Sequence, residues 1–144
     1  MKKHFYLLLI TASIILTLGA CEFETSNNGN LDGNWQLTEV DTLHTGGIKD
    51  MKALQIFYAI QMRLINVSAF NDPNVGGNYY FHFEHQGDSL IFKTANSEGK
   101  TMYTTEQLQP FGLNKEAERF KIISLSSNNM ILKSEMLILK FRKF

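Results

Sequence analysis

Residues 79–92 read Tyr-Tyr-Phe-His-Phe-Glu-His-Gln-Gly-Asp-Ser-Leu-Ile-Phe, and their spacing decides the class of fold. Tyr79, Phe81 and Phe83 fall on one side of an extended chain, and Tyr80, His82 and Glu84 on the other. Period-two alternation of this kind describes a strand with one buried face. Gln86-Gly87-Asp88 then carries the composition of a tight hairpin, and Leu90, Ile91 and Phe92 begin the returning strand.

The same period continues on both sides. In Asn34–Val40, Trp35, Leu37 and Glu39 share a face opposite Asn34, Gln36 and Thr38. In Leu54–Val67 the even positions Leu54, Ile56, Tyr58, Ile60, Met62 and Leu64 are all apolar, which reads as one long strand entered by a short helix over residues 50–55. Asn71-Asp72-Pro73-Asn74 and Gly76-Gly77-Asn78 mark a turn region. Ala95–Glu118 is irregular, with a capping box from Thr104 and Gln107 predicting one short helix stopped by Pro110. Phe120–Leu125, Met130–Lys133 and Met136–Lys143 supply three more strands, the first two joined by a turn at Asn128-Asn129. The expected fold is all-β: an antiparallel meander barrel of about eight strands, with one or two short helices in loops. Closure is preferred over a sandwich because it removes exposed edges.

The chain has 144 residues, 14 basic and 14 acidic, and a single cysteine, Cys21. Residues 1–20 read as a secretory signal: Lys2 and Lys3, an uncharged apolar stretch from Phe5 to Leu18 too short to span a bilayer, then small residues. Leu18-Gly19-Ala20-Cys21 resembles the lipobox of bacterial lipoproteins. The resemblance implies cleavage between Ala20 and Cys21, a diacylglyceryl thioether on Cys21, and often a further acyl chain such as palmitate on the new N-terminus. Two or three chains hold a protein stably where one does not. Residues 21–30 are polar and read as a tether, leaving residues 31–144 as the domain. Glu22 in place of Asp leans towards the outer membrane, with the leaflet left open. Losing Lys2 and Lys3 leaves the mature chain slightly acidic, so no positive field draws in nucleic acid. With its only cysteine assigned to lipid, the domain is expected to have no disulfide, no thiolate nucleophile and no cysteine-rich metal site.

Gly33-x-Trp35 at the start of the first strand is similar to the opening motif of lipocalin and calycin barrels. With the lipobox and the ending Met130–Lys143, the chain resembles small lipocalin-like lipoproteins of Bacteroidetes. The resemblance implies that Trp35 closes the barrel floor and that a late arginine stacks on it, either Arg142 or Arg119. It also implies a ligand-binding interior, for which Trp35, Leu37, Ile56, Tyr58, Ile60, Met62, Phe81 and Phe83 are the candidate lining. An eight-stranded barrel holds either its own side chains or one small ligand, and Tyr58, Met62, Phe81, Phe83, Phe92 and Phe120 are bulky enough to fill it.

Motifs for phosphate binding, dinucleotide binding or a nucleophile elbow are absent from the sequence. His82 and Glu84 share a strand face about 7 Å apart and could supply two metal ligands, with His44 in a loop open as a third; two ligands are too few for structural zinc. Glu39 is the one acid on an otherwise apolar strand face, placed for a barrel opening or a polar ligand group. The expected function is non-enzymatic: a membrane-anchored barrel that binds a small apolar or amphipathic ligand. The alternative is an envelope interaction protein, its barrel filled, docking a partner protein through its outer face or loops. A hydrolase-type enzyme is the third reading and would require a polar pocket with two convergent titratable groups, drawn from Glu39, His44 or His85. No metal or cofactor is expected.

Overall fold

The computed structural model describes residues 26–71, 75–96 and 98–144. The signal, its flank at Ala20, and Cys21 lie outside them, as do residues 72–74 of the predicted turn. Nine strands run in chain order: β1 (Gly33–Thr42), β2 (Ile48–Asp50), β3 (Ile56–Gln61), β4 (Leu64–Ala69), β5 (Asn78–Gln86), β6 (Ser89–Thr94), β7 (Arg119–Leu125), β8 (Asn129–Lys133) and β9 (Leu137–Lys143). From β3 to β9 every strand pairs antiparallel with its successor. β9 then returns to β1, from Trp35↔Lys143 to Thr42↔Leu137, and β1 also pairs with β3. Eight strands therefore close a meander barrel, and the short β2 only extends the edge of β1 beyond β3.

The inward faces form one core. Ile56, Tyr58 and Ile60 face Ile65, Val67, Phe81 and Phe83, and Leu90, Phe92, Phe120, Met130, Leu132, Leu139 and Phe141 complete the ring. Its centre is aromatic: Phe92 lies 5.5 Å from Phe81 and 5.2 Å from Phe120, and Tyr58 lies 4.9 Å from Phe141 between ring centroids. Each such side chain stabilises the fold by about 1.5–3 kcal/mol through burial alone.

Three local features depart from the sequence reading. The apolar run 54–67 is a hairpin, not one strand. A two-residue turn at Met62-Arg63 joins β3 to β4, with Met62 in the left-handed region at φ 55°. Because Ile60 pairs with Ile65 across this turn, the inward parity passes from even to odd residues. Met62 and Leu64, expected inside, are 44% and 46% exposed. The helix expected over residues 50–55 is a single 3-10 turn, Lys52–Leu54.

The second departure lies in β1, whose register against β9 shifts between Leu37 and Glu39. A bulge of this kind places two residues opposite one and reverses the facing of the residues beyond it. Trp35 and Leu37 point inward as expected, but Val40 packs on the core in place of Glu39. Glu39 faces outward and pairs with Lys140, which also meets Asp41 at 3.0 Å. The hydrogen bonds that the Lys140 ammonium donates to these two carboxylates hold it above its ordinary pKa. Glu39 is therefore not an acid at a barrel opening.

The third concerns the ends of elements. The capping box forms as read, with the Thr104 side chain accepting from Gln107 N, but the helix α1 (Thr105–Leu108) is not halted by Pro110. Pro110 sits inside a following 3-10 turn, Gln109–Phe111, which ends on Gly112 at φ 83°. A Cβ at Gly112 would stand 2.8 Å from Leu139 Cδ2. Gly112→Ala is therefore expected to cost about 1–2 kcal/mol from the left-handed backbone, with crowding against Leu139 in addition. Urea unfolding checks this; an unchanged midpoint would contradict the packing of this turn on β9. The turn between β7 and β8 spans Ser126–Asn128, and Asn129 already belongs to the strand.

Candidate functional site

The two ends of the barrel decide whether its interior is reachable. At the lower end the chain enters through a 3-10 turn, Gly29–Leu31, and passes into β1 at Gly33. Trp35 is fully buried, and its indole Nε1 donates to Leu31 O at 2.7 Å. Lys143 Nζ lies 4.7 Å from the Trp35 ring centroid and donates to Asn30 O at 3.0 Å. The stacked cation is thus Lys143, and neither Arg142 nor Arg119. Arg142 points outward, where its Nε donates to Gln36 Oε1 and its guanidinium lies 5.9 Å from the Phe144 ring. Arg119 is exposed at the start of β7. A Cβ at Gly33, which has φ 134°, would fall 2.8 Å from Lys143 Cε. The glycine of Gly33-x-Trp35 is what lets the lysine cross to the indole.

At the upper end, residues 98–118 fold over the opening. Leu108, Phe111 and Leu113 are buried, and the Tyr58 hydroxyl donates to Phe111 O at 2.7 Å. Phe111 lies 5.0 Å from Tyr79, which lies 5.0 Å from Tyr103. Two buried carboxylates tie the segment to itself. Glu116 Oε2 accepts from Met102 N at 2.7 Å and Tyr103 N at 3.3 Å, and Glu118 accepts from Asn114 N at 2.9 Å. This segment is held by side-chain caps and aromatic contacts, not by a sheet ladder.

Between these ends, Trp35, Leu37, Ile56, Tyr58 and Phe81 have no accessible surface, and Ile60 and Phe83 almost none. A hollow large enough for water would expose part of its lining. The interior around these residues is accordingly filled by the chain itself. Of the eight candidate lining residues the barrel brings seven together; Met62 stands outside on its turn.

Burial also marks Tyr58 chemically. Desolvation, with a smaller contribution from the charge of Glu118, pushes its phenol well above the ordinary value near 10. The neutral phenol is thus favoured in the folded state. Its contribution is complete below about pH 10 and is lost as pH rises further, because only the unfolded chain ionises readily. Stability is expected to fall more steeply between pH 9 and 11 in the native chain than in Tyr58→Phe, measured as urea midpoints. Equal slopes would contradict this burial.

Two surface hollows lie at the lower end. One, of about 370 Å³, is bordered by Ser26, Asp32, Gly33 and Ala59–Gln61. A second, wider groove runs from Ser26–Asn28 past Met62–Leu64 to His82–Gln86 and Lys93. His82, Glu84 and His85 line this groove, and Glu84 is paired with Lys93. His44 belongs to the β1–β2 loop at the other end of the barrel. Among the described residues no three His, Cys, Asp or Glu side chains gather as a metal site.

A model of the lipocalin-like domain matches residues 14–144. The chain belongs to the lipocalin-like domain family. Two solved structures share the fold of this lipocalin-like chain. One is a lipocalin-like protein from Bacteroides uniformis, 22% identical, covering 81% of this chain and 100% of that one, with a TM-score of 0.64. The other is an uncharacterized protein from Bacteroides eggerthii, 21% identical, covering 78% and 98%, with a TM-score of 0.61. No curated protein matches. The family resemblance drawn from Gly33-x-Trp35 is thereby shown.

Sequence reasoning missed Lys143 and Phe111. Alternation does carry a signal for Lys143: if Leu139 and Phe141 face inward, so does Lys143. Phe111 has no such signal, because it lies in the irregular segment where no period applies.

Proposed function

We propose that this lipocalin-like protein is held at the outer membrane by lipid on Cys21 and works through its outer surface as an envelope interaction protein. The observation that carries the reading is the filled interior: an aromatic core from Trp35 to Phe111 leaves a ligand no room. The outer face offers a contact instead. Phe57 meets Phe70 and Phe144 at centroid distances of 5.7 and 5.3 Å, while Phe70 and Phe144 are 71% and 75% exposed. With Arg142 over Phe144, this trio suits a partner protein that brings an apolar side chain beside a carboxylate. Tyr80 adds an aromatic outer position on β5.

The second reading, a carrier of a small apolar or amphipathic ligand, is favoured by the lipocalin-like family and by the loop construction of the upper closure. Entry would require Leu108, Phe111 and Leu113 to withdraw. Native mass spectrometry of the acylated protein from its own host separates the two. A mass equal to chain plus lipid anchor is expected, and a stoichiometric co-purified small molecule would overturn the filled-barrel reading. Cys21→Ser is expected to remain unprocessed and without lipid. Cross-linking from a photoreactive residue at position 70 is expected to give one discrete product that Arg142→Glu abolishes.

A further inference from the structure

We propose that the barrel stands on the bilayer by its lower end, with Met62 and Leu64 in contact with lipid and Arg63 at the headgroups. This rests on the anchoring at Cys21 proposed above. Five residue steps separate Cys21 from Ser26, a reach of at most about 18 Å when fully extended. Ser26 borders both surface hollows of the lower end, next to Gly33 and Gln61 in one and Met62–Leu64 in the other. Asn28 then fixes the chain to this end, donating from Nδ2 to Met62 O at 2.7 Å. Little of the polar stretch before β1 is therefore left as spacer. A lipid on Cys21 brings this end to the membrane and holds the β1–β2 loop roughly 20 Å farther off, taking the nine residues of β5 at the tilt usual for such barrels.

The surface chemistry of this end fits the same occupant. Met62 and Leu64 present half-exposed apolar side chains on either side of the exposed Arg63, at the tip of a turn that Asn28 meets from one side. An apolar pair with an adjacent long basic side chain is what an interfacial contact uses, the alkyl chains below the phosphates and the guanidinium among them. Of the described acids nearby, two are ion-paired and the third, Asp32, is hydrogen-bonded to a neutral amide. Asp32 accepts from Asn28 Nδ2 at 2.7 Å, Asp88 lies 3.6 Å from Lys121 Nζ, and Glu84 pairs with Lys93. An anionic headgroup layer thus meets Arg63 beside two acids that are ion-paired. Lys143, a further cation at this end, is already engaged by Trp35 and Asn30.

The test uses the full acylated chain in vesicles of phosphatidylethanolamine and phosphatidylglycerol, with no other protein. Cys21 is consumed as thioether, so a single introduced cysteine takes an environment-sensitive fluorophore, at Leu64→Cys, Ser127→Cys or Ile48→Cys in separate samples. Quenching by brominated lipid is expected to be several-fold stronger at 64 and 127, on the lower end, than at 48 on β2. Adding Met62→Ser and Leu64→Ser to the Ser127→Cys chain is expected to bring its quenching down towards that at 48, while the protein still floats with the vesicles. Flotation with equal quenching at 64 and 48 would overturn this orientation and leave the anchor standing. A solvent-exposed label at 64 on floating protein would equally overturn it. Loss of flotation in every sample would overturn the anchor and the orientation together.

Discussion

Trp35→Ala is expected to destabilise the domain by about 3–5 kcal/mol, the range for removing a fully buried large aromatic. Single domains hold together by only about 5–15 kcal/mol, so much of the protein would unfold near 37 °C. Three losses coincide at this residue. The indole leaves a cavity at the lower end, Leu31 O loses the donor at 2.7 Å, and Lys143 loses the ring beneath its ammonium. Trp35→Phe separates them. It keeps most of the volume, abandons the buried Leu31 carbonyl, and is expected to cost about 1–3 kcal/mol. Lys143→Met, which keeps an alkyl chain over the ring, is expected to cost no more than about 1 kcal/mol. Trp35 is the only tryptophan, so the series must be followed by far-ultraviolet circular dichroism in urea. A loss below about 1.5 kcal/mol for Trp35→Ala would mean that the lower end is not closed around this residue.

That closure was legible in the sequence, and the reason is local. Gly33 and Trp35 stand two apart on a strand, and both are required at one place: a glycine where a side chain must cross, an aromatic where the barrel narrows. The hairpin at Gly87-Asp88 was legible for a similar reason, since Gly87 at φ 59° advertises its own conformation. The turn at Met62-Arg63 is different. Nothing in an apolar run announces a turn when the left-handed position is filled by methionine; pairing of β3 with β4 overrides the preference of the residue. The bulge beside Thr38 is equally silent. It exists because β1 must serve β3 on one edge, extend to β2, and stay in register with β9 on the other. Both features reverse the parity of the chain, so the turn moved Met62 and Leu64, and the bulge Glu39, from the inside to the outside. The candidate lining was legible as a set because parity is correct within each short strand. Whether that lining encloses a space was not, because it depends on volumes summed across strands and on residues 98–118, where no periodicity guides a reading.

Phe111→Ala is the substitution that links this closure to function. It is expected to cost about 3–5 kcal/mol, comparable to Trp35→Ala, since Phe111 is buried against Tyr79 and its backbone carbonyl receives the Tyr58 hydroxyl. Its further consequence differs from that of any residue in the middle of the barrel. Phe92→Ala would leave a void walled on all sides by strands, whereas the void left at Phe111 adjoins Tyr58 and Tyr79 beneath a segment held by Glu116, Glu118 and one short helix. Apolar cavities of such size stay dry and accept small apolar molecules. Phe111→Ala is therefore expected to bind benzene or a naphthalene sulfonate dye that the native chain ignores, with Phe92→Ala binding it far more slowly. Titration calorimetry and dye fluorescence on folded protein measure this. The native chain binding such a probe as well as Phe111→Ala, with a loss of less than about 1 kcal/mol on substitution, would mean that residues 98–118 lift freely in solution. The interior would then be reachable, and the carrier reading would displace the interaction reading. If the native chain instead excludes the probe, the lipocalin-like shape is kept here for its outer surface, because the residues that would line a binding chamber are the ones that fill it.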